Sequence, residues 1–114
     1  LEWVEKPTLD EMRSGPQTAF MDYDSVTPPL ILRNMRPGDR VQLLGMKGVK
    51  KLKDYFIDRK IAPGRRREIP LLADAGSIVW IAGERISERV RIKERTRRFL
   101  RAEIVDPSKP SEMI

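Results

Sequence analysis

The sequence predicts a small, single β-rich α+β domain of six or seven short strands with one clear helix at about residues 49–59. Three observations lead there. Short apolar runs recur along the chain between Pro- and Gly-marked turns, the pattern of brief strands rather than long helices. A helical period occurs convincingly only once. The 114 residues are 39% hydrophobic, enough for one core and not for two.

Taken in order, Leu1-Glu2-Trp3-Val4-Glu5 alternates weakly and reads as a strand, and Lys6 to Gln17 as a connector. Residues 1–17 are thus expected to be a connector or an edge strand arriving from upstream. The domain proper is expected over 18–105, with a flexible tail over 106–114. Thr18 to Asp22 and Leu30 to Arg33 are strand candidates on either side of the Thr27-Pro28-Pro29 break. Arg36-Pro37-Gly38-Asp39 has turn chemistry, because Pro presets position i+1 and Gly accepts a positive φ at i+2. A strand over Arg40 to Leu44 follows as a hairpin partner or neighbour.

Beyond Gly45 the period changes. Val49, Leu52, Tyr55 and Phe56 fall on one helical side and Lys50, Lys51, Asp54 and Asp58 on the other. Ile61 to Pro70 reads as an exposed loop or a single helical turn. Ile69 to Leu72 and Ser77 to Ala82 read as buried strands around an Asp74-Ala75-Gly76 turn, the second of them central. Gly83 ends that strand, Arg89 to Lys93 alternates like another, and Phe99 to Val105 supplies the last.

The formal net charge is +6 and unevenly spread. Residues 1–30 hold two basic and six acidic side chains, and residues 31–70 hold twelve and four. A basic middle suits a polyanion partner such as nucleic acid, or an anionic membrane surface, or else a solvated face that keeps the protein soluble. No apolar run approaches the roughly 18 residues of a membrane span. Without cysteine or histidine, the usual zinc sites and Ser/His or Cys/His pairs are excluded. The lack of cysteine suits a reducing cytosol, so a cytoplasmic location is expected. A start at Leu1 rather than methionine suggests a piece of a longer protein.

Motif by motif, catalysis finds no support. Gly45-Met46-Lys47-Gly48 lacks the spacing of a phosphate-binding P-loop. It matches the bare G-x-x-G of a KH-type RNA clamp, although such a clamp joins two helices. Asp54 and Asp58 lie one helical turn apart, but among lysines they read as charge-tempering rather than metal-binding. No catalytic residue, metal ligand or cofactor is assigned to this chain.

What stands out is basic. Three lysines at the start of the helix oppose its dipole, so either they are simply solvated at small cost or an anion occupies the helix start. The assigned nucleic-acid-binding residues are Arg36, Arg40, Lys47, Lys50, Lys51, Lys53, Arg59, Lys60, Arg65 and Arg67. Arginine grips two phosphate oxygens at once and lysine acts as a point charge. Arg33 and Arg66 belong to the same constellation.

The line "LRNMRPGDRVQLLGMKGVKKLKDYFIDRKI", followed by "RRREIPLLAD", "IVWIAGERIS" and "ERV", resembles the C-terminal domain of bacterial tRNA(Ile)-lysidine synthetase from about Ala19 to Val105. That resemblance implies a layered fold similar to a domain of the phenylalanyl-tRNA synthetase β chain. It implies a domain that holds the acceptor-stem region of a CAU-anticodon tRNA(Ile). A separate N-terminal catalytic domain of the parent protein, with ATP and Mg, would make lysidine at the wobble cytidine. The nucleotide loop Ser-Gly-Gly-x-Asp-Ser of that domain is not matched by Ser14-Gly15-Pro16, so this chain alone is not expected to be an enzyme. The resemblance also places Leu52, Phe56, Leu71, Val79 and Trp80 in the core. Competing readings are a protein-interaction or homodimerisation module and a free-standing KH-like RNA binder.

Overall fold

A computed structural model describes residues 2–4 and 17–104. Its strands are β1 (Glu2–Val4), β2 (Thr18–Asp22), β3 (Ile31–Arg33), β4 (Arg40–Val41), β5 (Lys50–Lys51), β6 (Leu71–Ala73), β7 (Ile78–Ile81) and β8 (Phe99–Glu103). Two helices, α1 (Leu52–Asp58) and the single turn α2 (Pro63–Arg66), lie between β5 and β6. The connector and tail expected from the sequence fall almost wholly outside the described residues.

Sequence neighbours are mostly not sheet neighbours. One antiparallel sheet has the order β1-β8-β2, a second β3-β6-β7, and β4 pairs with β5 in a two-stranded ribbon. The β3-β6-β7 sheet is the middle layer. Leu72, Val79 and Trp80 pack on one side with Met21 and Ala19 of β2 and Leu100 and Ala102 of β8. Leu71, Ile78 and Ile81 pack on the other side with Leu52, Tyr55 and Phe56 of α1. Both faces of β6 and β7 are therefore covered, which is why they read as continuous apolar runs rather than alternating ones. The five core residues expected above are all buried.

The register explains one irregularity. Leu72 pairs with Trp80 but Ala73 pairs with Ile78, so Val79 is an extra residue on β7. This bulge puts Val79 and Trp80 into the same core layer.

Four expectations are corrected. The helix begins at Leu52, not 49, because Lys50 and Lys51 pair with Val41 and Arg40 in the ribbon and Val49 is exposed. The strand after the Arg36–Asp39 turn is short and pairs with β5; β3 pairs with β6, so no β3–β4 hairpin forms. The central strand of the middle sheet is β6, not β7. Residues 88–90 form a 3₁₀ turn capped by Ser87, whose hydroxyl accepts from the Arg89 amide, so no strand runs through 89–93.

Candidate nucleic-acid interface

An open groove of about 840 Å³ is bounded by three short pieces of chain. One wall is the loop 34–39, another is the end of β5 with the start of α1, and the third is α2 with Arg67. The sequence builds each wall locally. Gly38 has φ +86° and the Asp39 amide donates to the Arg36 carbonyl at 3.1 Å, closing the expected Pro-Gly turn. Pro63 opens α2 at a position where its missing N–H is harmless. Across the groove, the Asn34 side-chain amide donates to the Arg67 carbonyl at 2.7 Å.

Asp39 organises the loop. It receives two guanidinium hydrogen bonds from Arg33, at 2.9 and 3.0 Å, and the Arg36 amide at 2.7 Å. Burial pushes its carboxyl up, but these donors outweigh that and hold it below its ordinary value. The Asp39 carbonyl accepts from the Leu52 amide at 2.9 Å, which satisfies the first helical N–H. The expected cluster of three lysines within the helix start is thus corrected: α1 is seven residues long, and only Lys53 of the three lies within it.

Around this groove stand the side chains of Arg36, Lys51, Lys53, Arg66 and Arg67. Arg66, left unassigned from the sequence, is steadied by its Nε donating to the Ile61 carbonyl at 2.8 Å. Among the described residues, no carboxylate pairs with any of the five cations. Asp39, which also lines the groove, is already committed to Arg33. The rim is therefore a set of cations without a carboxylate ion-pair partner among the described residues, although the Asp39 charge acts on Arg36, next to a turn whose glycine leaves the backbone open to approach.

The other assigned residues are distributed differently. Arg40, the cross-strand partner of Lys51, borders a separate depression with Arg91 and Lys93. Arg65 borders a third depression together with Glu68. Lys47 and Lys60 are exposed away from these hollows, and Lys60 ends α1 in the left-handed region at φ 57°. Lys50 is paired with Asp58, and Arg59 donates to Glu84 at 2.8 Å.

Glu84 also accepts from the Tyr55 hydroxyl at 2.5 Å. Burial raises its carboxyl, yet the Arg59 and Tyr55 hydrogen bonds outweigh it and lower the net value. Burial, then the bond to Glu84, pushes the Tyr55 hydroxyl up. The KH-type expectation fails on topology, since the loop containing Gly45 and Gly48 joins β4 to β5 rather than two helices. Sequence reasoning missed Asn34 and did not assign Arg66. Nothing in the sequence marks Asn34, and Arg66 is distinguished from its neighbours only by the phase of a one-turn helix.

Residues 30–102 match the family described as the TilS substrate C-terminal domain. The chain is 38% identical over 97 residues to the tRNA(Ile)-lysidine synthase of Caldanaerobacter subterraneus subsp. tengcongensis, covering 85% of this chain and 21% of that protein. It is 45% identical over 94 residues to that of Parabacteroides distasonis, covering 82% and 22%. The chain thus spans about a fifth of the length of these curated relatives. Among solved structures, a TilS C-terminal domain superposes with a TM-score of 0.69 at 30% identity, over 91% of this chain and 82% of that one. An N-terminal fragment of the phenylalanyl-tRNA synthetase β-subunit from Pyrococcus horikoshii superposes with a TM-score of 0.61 at 21% identity, over 82% and 30%, a likeness of fold. With its layered sheets, its cationic groove and a family match over 73 of its residues, the chain belongs to the TilS substrate C-terminal domain family.

Proposed function

We propose that this chain is the tRNA-holding part of a cytoplasmic tRNA(Ile)-lysidine synthase. In this reading it grips the acceptor-stem region of a CAU-anticodon tRNA(Ile). Another domain of the parent protein, using ATP, Mg and lysine, modifies the wobble cytidine. The chain itself contributes binding and no chemistry. The observation that carries the reading is the groove rim of Arg36, Lys51, Lys53, Arg66 and Arg67, cations without a carboxylate partner among the described residues. Unpaired cations around a concavity suit a phosphate backbone, because each contact releases condensed counterions.

Fluorescence anisotropy with labelled tRNA across a salt series tests this. Binding is expected to weaken steeply with salt, and the triple variant R36Q/K51Q/K53Q is expected to flatten the logarithmic salt slope by about three. An affinity indifferent to salt, or untouched by the triple variant, would sink the proposal. A salt-sensitive dimer with no tRNA affinity would replace it with a protein-interaction role.

A further inference from the structure

After β7 the chain reverses at Gly83, which sits in the left-handed region at φ +79°, and Ile86 returns to bridge Trp80 as its antiparallel partner. The loop that follows β4 is tied to this return. The Leu44 amide donates to the Ile86 carbonyl at 2.9 Å, and the Arg85 guanidinium to the Leu44 carbonyl at 3.0 Å. These bonds fix the walls of a hollow of about 360 Å³, in which Trp80 lies among Leu44, Ile86 and Ile92 beside the start of β2. It shares no lining residue with the cationic groove of Arg36 and Lys53.

One polar group in this hollow is unused. Trp80 is only 4% exposed, yet its indole N–H makes no hydrogen bond among the described residues, and the nitrogen is not sealed from solvent. The hollow that Trp80 lines is where the ring opens outward. An indole nitrogen only donates, so its complement is an acceptor carried by a group that can also lie against apolar walls. An aliphatic or phenyl side chain fits the walls but strands the N–H. A nucleobase satisfies both, with flat faces and with carbonyl oxygens or ring nitrogens at its edge. The exposed Arg85 and Arg91 border the same hollow. Each spends a donor internally, Arg85 on the Leu44 carbonyl and Arg91 on Glu88, and a guanidinium has further N–H groups for a phosphate. Glu84, also on the wall, is committed to Tyr55 and Arg59.

We infer that this hollow receives one unpaired base of the same RNA, with the Trp80 indole N–H donating to an acceptor on the base edge. The inference rests on the RNA-holding role proposed above and adds to it a site that touches a base. Phosphate contacts position an RNA without reading it, whereas a base edge carries identity.

The probes are a short unpaired RNA oligonucleotide and an abasic oligonucleotide of the same length, which keeps every phosphate. The chain has two tryptophans, so its nitrogen–proton correlation spectrum carries two indole signals, and Trp80→Phe assigns one of them by its loss. The Trp80 signal is expected to shift with the base-bearing oligonucleotide and to stay in place with the abasic one. By anisotropy the base-bearing RNA should bind about tenfold more tightly, with the same salt slope for both. Trp80→Phe should bring the two within about twofold of each other while leaving abasic binding unchanged, in protein shown by urea unfolding to be folded. Should that variant not fold, the indole signal of the unaltered chain still decides.

Equal affinities for the two oligonucleotides, or a Trp80 signal unmoved at saturating RNA, would overturn the inference and spare the RNA-holding role. A signal that moves with N-acetylphenylalanine amide and not with the RNA would assign the hollow to a protein side chain instead. Failure of the unaltered chain to bind either oligonucleotide or tRNA would sink the proposed function itself.

Discussion

Arginine does opposite work in two regions of this domain. Near the Asp74 turn, Arg89 is drawn inward: its Nη2 donates to both oxygens of Asp74 at 2.8 Å, and its Nη1 to the Ser25 carbonyl at 2.9 Å. Asp74 also accepts the amides of Thr27, Gly76 and Ser77, each at 2.9 Å, and its side chain is fully shielded from solvent. At the first groove, Arg36, Lys51, Lys53 and Arg67 border open space. The difference lies in the carboxylates rather than in the cations. Where an acidic side chain is held in place by backbone amides, an arginine closes the fold; where the nearby carboxylate is already used, cations are left for an external partner.

The largest expected effect breaks the inward region. Asp74→Ala strips three backbone amides and Arg89 of their acceptor, so a loss of about 3 kcal/mol of stability is expected in urea unfolding. RNA affinity of the protein that remains folded should hardly change. A strong loss of affinity in folded Asp74→Ala protein would mean that the two regions are not separable.

Acid titration probes the same distinction without mutation. Burial raises the Asp74 carboxyl, but the Thr27 amide, Arg89 and the other turn amides outweigh it and hold it below the usual 3.8. A carboxylate lowered in the folded state stabilises the fold above its unfolded value and loses that contribution as pH falls through the folded value. Asp39 and Glu84 are lowered as well, and there is no histidine to titrate nearer neutrality. Stability followed by thermal melting should therefore be flat from about pH 8 to 5 and fall only below about pH 4. A drop already at pH 6 would contradict the assignment.

Glu84→Gln sharpens the comparison by converting one class of cation into the other. It removes the charge that holds Arg59 and weakens the acceptor of the Tyr55 hydroxyl. About 1 kcal/mol of stability should be lost, while Arg59 becomes available and RNA affinity rises about twofold. Smallest of all is Lys50→Gln. Its pair with Asp58 is largely solvent-exposed, so stability should move by less than about 0.5 kcal/mol. A change above that in thermal melts would show that the Lys50–Asp58 pair ties β5 to α1 more firmly than exposed pairs do.

The elements whose sequence pattern is local were legible. Thr18 to Asp22, the Arg36–Asp39 turn, the two runs around Asp74 to Gly76 and the final strand are all present, because turn chemistry and short apolar runs are written in adjacent residues. The misreadings arose where two signals competed. Lys50 and Lys51 continue a helical period by charge, yet β4 offers them cross-strand hydrogen bonds, and Asp39 supplies the first helical amide with its acceptor. Arg89 to Lys93 alternates like a strand but pairs with no strand among the described residues, and Ser87 starts a 3₁₀ turn instead.

By itself, then, the chain's order of residues determined a β-rich domain, its buried apolar runs and its excess of positive charge through the middle. Those properties depend on residue type and near-neighbour spacing. Only the tertiary structure decided which cations are spent on Asp39, Asp58, Asp74 and Glu84 and which are left around a groove. Each such pairing joins residues 6 to 25 positions apart, and a charge on the chain carries no mark of the partner that folding will bring to it.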